Sequence, residues 1–459
     1  MPPYKMWQIM ERSQTGPFCE DDDFVYEIFM PKISELVEKY QITYDPEHPV
    51  PDDDGLADRV WQAAVELFLD VGVLNVITHR RILLDQAEVR EALYHAPGRY
   101  WVGDGRDARL WEHREVEDTK PPFCIFSPDI TCDEELFLPM SLAYIQEPLA
   151  DGVCAPILED TMGLKIKSGA PTEMAGVVEH AMSLREAARL AGRPGLFLVA
   201  VGTAQSDAGQ IAVSNDTWGV RHTDARLIGL LTELKIDNGL LNKIVHCMQF
   251  GCFIGCLSGA IYGGLAGRAE GTAILETAYH LVGLTIYQAA FQQSFPFHLH
   301  FTSNSGREML WLVSVTHQAV SRNSRILTTS NGFLNAGSGT EMVLYEAAAH
   351  GLASTVSGGD LWEAAVAHNK YRNYATPLEA RLACEVGHSV ARQGMTRAQA
   401  NEIVLHLLGK YEEQIPEAPK GKPFQACYDA KTARPDDWYL DMYKRVKDEV
   451  AELGVQFPY

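Results

Sequence analysis

The sequence predicts a (β/α)8 TIM barrel with an N-terminal helical extension and C-terminal helices. Two observations lead there. From about residue 120 short apolar runs alternate with longer helical patterns, the signature of parallel strands covered by helices. The runs number eight, which suits a closed barrel better than an open sheet. No tandem repeat or low-complexity tract interrupts them.

Residues 1–115 read as an extension packed on the barrel. It opens on the acidic turn CEDDDF. A helical stretch runs from Val25 to Lys39, and a Pro/Asp-rich loop from Pro46 to Gly55. A second helix carries apolar residues at helical spacing through VWQAAVELFLDVGV. No Gly/Ser linker separates this segment from the rest. The barrel spans 116–395, with strands expected at 122–127, 152–158, 196–202, 243–250, 258–264, 297–301, 325–330 and 352–358. The connection between the fourth and fifth of these is short for a parallel crossover. Residues 396–459 form a helical tail, two helices around the connector EAPKGKP.

Composition narrows the function classes. Of 459 residues, 46% are hydrophobic and 22% charged, enough apolar material for a large core. The formal net charge of -22 argues against nucleic acid and anionic membrane surfaces and is compatible with a cationic substrate. No apolar run reaches the length of a membrane span. The N-terminal residues lack the apolar core of a signal peptide. Nine scattered cysteines, an odd number, suit reduced thiols. A soluble, cytoplasmic protein is the expectation.

In a barrel the active site lies at the C-terminal ends of the strands. That rule marks Thr203, Gln249, Glu270, Ser303, Asn304, Asn331 and the loop Asn335–Glu341. His298 and His300, two apart on an expected strand, would share its lumen face and either polarise a substrate, bind a metal or be core histidines bonded to neighbours. His246, Cys247, Cys252 and Cys256 offer ligand types that zinc prefers, but without C-x2-C spacing and in apolar surroundings where cysteine acts as a small hydrophobe. Glu270 either begins a helix, where a carboxylate suits the dipole, or faces a cationic substrate. The aromatics Tyr262, Phe295, Phe297, Phe301 and Phe333 are core residues or part of a cation–π cage. The Gly-rich pieces 103–107 and 263–271 match neither a dinucleotide nor a Walker pattern and read as tight turns.

Several stretches, in order along nearly the whole chain, resemble the monomethylamine:corrinoid protein methyltransferases. They are THRRI (78–82), GDGRDA (103–108), AGRPG (191–195), ELKID (233–237), YGGLAG (262–267) with Glu270, SGREML (305–310), TEMVLYEA (340–347) and FQACYDAKT (424–432). The resemblance implies a (β/α)8 barrel that methylates the Co(I) corrinoid, a cobalamin, carried by a cognate partner protein. It implies a role in one-carbon metabolism of the methanogenic kind and a homo-oligomer, in the family a hexamer. The Gly-rich turns are expected near the corrinoid tail.

One departure stands out. In the family, pyrrolysine follows the AGRPG motif by four residues, and here that position is Val199. Three polar residues surround pyrrolysine in the family. Local counting puts Gly202, Leu257 and Asn331 at those positions, so two carboxylates are gone and one amide is present. His298 matches the family, whereas His300 replaces an arginine. A chain without the electrophile needs a donor that is already activated, so a quaternary ammonium or betaine-like amine is expected. The expected catalytic residues are Glu270, His298, His300 and Asn331, with Val199, Thr203, Tyr262 and Phe333 binding substrate. The alternatives are a zinc-dependent methyltransferase for a thiol, methanol or methoxy compound, with His246, Cys247, His298 or His300 as ligands, and a non-catalytic barrel that binds a corrinoid protein or small ligand.

Overall fold

A computed structural model describes residues 3–199, 201–366 and 371–458. Ala200, inside the strand expected at 196–202, lies outside them. Among the described residues one sheet of eight parallel strands forms the centre. These are β1 (Cys124–Phe126), β2 (Gly152–Val153), β3 (Phe197–Leu198), β4 (Ala225–Gly229), β5 (Phe253–Ser258), β6 (Phe291–Ser294), β7 (Leu327–Leu334) and β8 (Asp360–Val366). Each pairs with its neighbour in chain order, and β8 returns to β1 through Leu361 opposite Cys124. The bridge of Val199 to Ala225 joins β3 to β4 and closes the barrel. A helix follows each strand: α1 (Glu134–Ile145), α2 (Pro171–Leu190), α3 (Asp207–Ala212), α4 (Asn238–Phe250), α5 (Ala269–Thr285), α6 (Arg307–Asn323), α7 (Glu341–Val356) and α8 (Pro377–Gln393).

Four expected strands are corrected. Residues 243–250 are the second half of α4, which Asp237 caps by accepting the Leu240 N–H and left-handed Gly251 ends. The strand assigned to that place is β4, upstream. Residues 352–358 include the last turns of α7, and β8 begins just beyond. The expectations at 258–264 and 297–301 fall one step late. The barrel strands β5 and β6 end at Ser258 and Ser294, and the residues beyond form a separate parallel pair on the rim, Ile261–Tyr262 with Phe297–His298.

Residues alternate between lumen and helix layer along each strand. Ile125, Cys154, Phe197, Val199, Ala225, Phe291, Leu327 and Trp362 meet in one interior cluster. A hairpin, Arg99–Val102 with Arg109–Glu112, plugs the N-terminal end of this lumen. Its Trp111 stacks on Phe123 at 4.4 Å and lies 4.8 Å from Phe291, while the indole N–H donates to Asp360 at 2.6 Å. The turn of this hairpin is the Gly-rich piece 103–107. Gly103 has φ 72°, and a Cβ there would lie 2.8 Å from the Gly195 carbonyl oxygen. The turn therefore serves the closed end of the barrel, away from the mouth where a corrinoid would meet it.

The helix Asp54–Val71 packs on α5 and α6 through Leu67, Phe68 and Val71 against Ile274, Leu281 and Val315. The strand Val73–Asn75 pairs with Lys235–Ile236 just after β4. At the other end of the chain, helices Arg397–Tyr411 and Asp437–Glu452 cover α7 and α8 in a second cluster with Leu407, Tyr443 and Val446. No helix among the described residues is long and apolar enough to cross a membrane.

Candidate functional site

The upper lumen is built by the lumen-facing residues at the C-terminal ends of β1, β2, β3, β7 and β8. Ser127 follows the lumen residue Ile125 by two and lies beside Cys154. Two residues on, Asp129 adopts φ 43°, unusual for a non-glycine residue and a common mark of functional loops. Its carboxylate accepts from the Ser127 hydroxyl at 2.5 Å and the Asn331 side-chain amide at 2.9 Å. Burial pushes the Asp129 carboxyl above the usual range, against the hydrogen bonds from Ser127 and Asn331. No cation among the described residues pairs with it.

Asn331 sits on β7 opposite Trp362 of β8, where the register shifts before Phe333. Asn304 holds β7 across this irregularity. Its side chain donates to the Asn331 carbonyl at 2.7 Å and accepts the Phe333 N–H at 2.7 Å. The Trp362 indole N–H also acts on the Asp129 carboxylate, and the Asn331 side-chain oxygen has no hydrogen-bond partner among the described residues. Phe333 packs against Phe295 at 5.6 Å, an aromatic wall above this layer.

Of the residues expected from sequence, the structure brings Val199, Asn331 and Phe333 to this region. Val199 is fully buried in the lumen cluster. Leu257 lies at an inward position of β5, between Gly229 and Gln293 on the neighbouring strands. A Cβ at Gly202 would lie 2.6 Å from the Ile157 side chain, so no larger residue fits without movement.

The others sit elsewhere. Thr203 accepts the Leu158 N–H and bonds His180 of α2, on the helix side of the strand. Glu270 lies in the first turn of α5, and its carboxylate accepts the Tyr44 N–H at 3.1 Å, which ties it to the N-terminal extension. His298 and His300 do not share a strand face, because the rim strand ends at His298 and the chain turns. The exposed His300 instead donates its N–H to the His298 ring at 3.1 Å. The His298 ring lies tilted against Tyr262 at 5.1 Å and opens on an outer cleft of about 170 Å³ with Ser303, Glu308 and Glu412. Burial lowers its pKa. The four alternative zinc ligands are not gathered: His246 and Cys247 lie on α4, with His246 bonded to Ser214, and the other two lie on the rim. Among the described residues no group of three or more His, Cys, Asp or Glu is placed to hold a metal ion.

Asp129 is the residue that sequence reading missed. The rule that marks strand ends applies to β1 as well, and Asp129 follows that strand by three residues. Val199 acts as an apolar wall, so Val199→Ala is expected to cost about 1–3 kcal/mol by opening a cavity. Chemical denaturation measures the cost, and the folded variant should retain whatever chemistry the barrel performs.

Comparison with known proteins agrees with this architecture. The family model described as "Monomethylamine methyltransferase MtmB" matches residues 4–455. Curated relatives include monomethylamine methyltransferase MtmB2 of Methanosarcina acetivorans and MtmB of Methanosarcina mazei, each 28% identical over 456 residues and covering 99% of both chains. Among solved structures, Methanosarcina barkeri monomethylamine methyltransferase (MtmB) superposes with a TM-score of 0.94 at 28% identity, covering 98% of each chain. A hydroxylamine complex of MtmB gives the same score. With the family model matched over nearly its full length, the chain belongs to the monomethylamine methyltransferase MtmB family.

Proposed function

We propose that the protein transfers a methyl group from a small cationic methylated amine, quaternary or betaine-like, to the Co(I) corrinoid of a partner protein without pyrrolysine. The observation that carries this reading is a pair of lumen residues. Val199 stands where the family resemblance puts the electrophile, and Asp129 supplies a carboxylate with no cation beside it among the described residues. A buried acid without a countercharge resists ionisation, and a bound cation reverses that balance. The role of balancing substrate charge thus passes from Glu270, which the extension engages, to Asp129.

The chemistry follows. The cobalt lone pair attacks the methyl carbon and forms the Co–C bond. The C–N bond breaks with its electron pair moving to nitrogen, so a quaternary donor leaves as a neutral tertiary amine. No proton is needed, and the residues act by position and exclusion of water. Asp129 holds the positive end, Val199, Leu257 and Phe333 give apolar walls, and Asn331 fixes the carboxylate. The corrinoid protein docks over the mouth, opposite the Trp111 plug. Tyr262 and His298 are rim contacts in this reading, and the homo-oligomeric state is carried with it.

The test supplies Co(I) cobalamin and compares glycine betaine, tetramethylammonium, monomethylamine and methanol, with methylcobalamin formation read by absorbance. Turnover of a quaternary donor is expected. Activity on methanol alone or monomethylamine alone overturns the reading. Asp129→Asn should raise KM for the quaternary donor by about tenfold or more, worth roughly 1.4 kcal/mol. Glu270→Gln serves as the control and should leave KM unchanged.

A further inference from the structure

Two cysteines meet where α4 turns into β5. The helix ends on Gly251 at φ 86°, whose N–H donates to the Cys247 carbonyl at 2.9 Å. A left-handed glycine at this place brings the residue after it against the residue four before it, the contact that usually joins two apolar side chains at a helix C-terminus. Here those residues are Cys252 and Cys247. The Cys252 Sγ lies 3.9 Å from the Cys247 carbonyl oxygen, and the two thiols are close enough to share a hydrogen bond. Cys247 is buried, whereas Cys252 keeps partial contact with solvent.

The surroundings favour negative charge on the Cys252 sulfur, through its contact with Cys247 and the nearby Arg226. Arg226 on β4 is fully buried and acts electrostatically on both thiols. Its Nη2 donates to Ser214, while Nε and Nη1 have no hydrogen-bond partner among the described residues. A thiol with a second thiol in contact, a buried guanidinium beside it and a path to solvent has what oxidation to a disulfide requires. Cys124 and Cys384 also interact, but that pair is fully buried.

We propose that Cys247 and Cys252 form a redox-active dithiol that closes to a disulfide at the α4–β5 turn. With a peroxide as oxidant, the Cys252 thiolate attacks one peroxide oxygen and the O–O bond breaks. Hydroxide departs and takes up the thiol's proton to give water, leaving a sulfenic acid on Cys252. The Cys247 sulfur then attacks the Cys252 sulfur, the S–O bond breaks, and a second water leaves with the Cys247 proton. Overall two thiols are oxidised and one peroxide is reduced to two waters. The turn enters β5 from the plugged end of the barrel, so the switch sits away from the mouth and acts on the wall that carries Leu257.

The experiment treats the reduced full-length protein with hydrogen peroxide, blocks free thiols with a maleimide under denaturing conditions, and maps the peptide that spans both cysteines. Loss of two hydrogens with Cys247 and Cys252 both protected, reversed by dithiothreitol, is expected. Cys252→Ser should abolish the linkage, and Cys256→Ala should not. The proposal is overturned if Cys252 is oxidised without Cys247, if Cys256 is the partner, or if both thiols stay alkylatable while peroxide oxidises methionine in the same sample.

Discussion

Substitution of His350 by leucine is expected to destabilise the protein by about 3–5 kcal/mol, the range for removing one partner of a buried ionisable pair. His350 on α7 and Glu363 on β8 are fully buried and joined by a 2.5 Å hydrogen bond from Nδ1 to the carboxyl. The other ring nitrogen bonds Ser330 on β7 at 3.1 Å. The imidazole thus ties two strands to a helix directly behind Asn331. Burial already pushes the Glu363 carboxyl above the usual range, with His350 as the group opposing that shift. Without the imidazole nothing offsets the cost of a charged Glu363, and the Ser330 hydroxyl loses its partner. The surrounding space leaves little scope for adjustment, because even a Cβ at Gly332 would lie 2.2 Å from the Glu363 carboxyl. Urea denaturation at neutral pH measures the effect. Adding Glu363→Leu to His350→Leu should recover part of the loss, since the orphaned carboxyl is then gone. A single variant as stable as the parent sinks the argument.

The barrel was legible in the sequence as a rhythm more than as a set of boundaries. Strands β1, β2 and β3 fall inside their expected runs because apolar residues there are bounded by turn residues, while β7 begins inside its run and continues beyond it to Leu334. The misplaced ones share a physical cause. In α7 every residue after Glu341 is buried, since the helix is covered by α8 and the C-terminal helices, so no polar face betrays its period. A β-branched run at its end then reads as a strand. In α4 the period was visible, with Leu240, Leu241, Ile244 and Cys247 buried at helical spacing. The apolar run masked it. Strand β4 was overlooked because ARLIG carries a buried arginine, and β6 because FQQS carries two buried glutamines. Local hydrophobicity cannot reveal a strand whose buried side chains are polar.

The site was legible where it depends on strand position and illegible where it depends on chain direction beyond the strand. Val199 and Asn331 lie on β-paired residues, so alternation fixes which way they point. His298 and His300 were read by the same alternation, but the strand stops between them and the rule stops with it. Glu270 was placed by its distance from a strand end, which says nothing of the extension that reaches across to supply the Tyr44 N–H. Asp129 depends on a left-handed residue after Pro128, a geometry no period predicts.

The second large effect is on pH dependence. Glu276 on α5 is fully buried and ties the ends of β5 and β6 together. Its carboxyl accepts from Ser258 at 3.1 Å, Ser294 at 2.7 Å and the Ala260 N–H at 2.7 Å, just below the rim pair of Tyr262 and His298. Burial raises its pKa from 4.5 to about 7, despite those three donors. A carboxyl with a raised folded pKa favours the folded state most below the unfolded value, where it is protonated in both states. Between 4.5 and about 7 the unfolded chain gives up this proton while the folded chain holds it, so stability falls as pH rises and levels off above that window. At 1.36 kcal/mol per pKa unit the loss is about 3 kcal/mol. Glu379, also fully buried and raised to about 7, titrates in the same window. The difference between parent and variant is therefore the measurement that isolates Glu276. Glu276→Gln, measured by urea denaturation at pH 4.5 and pH 8, should lose about 3 kcal/mol less than the parent across that interval. A glutamine can still accept the Ala260 N–H, so the variant at pH 8 should equal or exceed the parent in stability. Parallel pH profiles for the two proteins mean that Glu276 is ionised in the fold at neutral pH, and the raised value is then wrong.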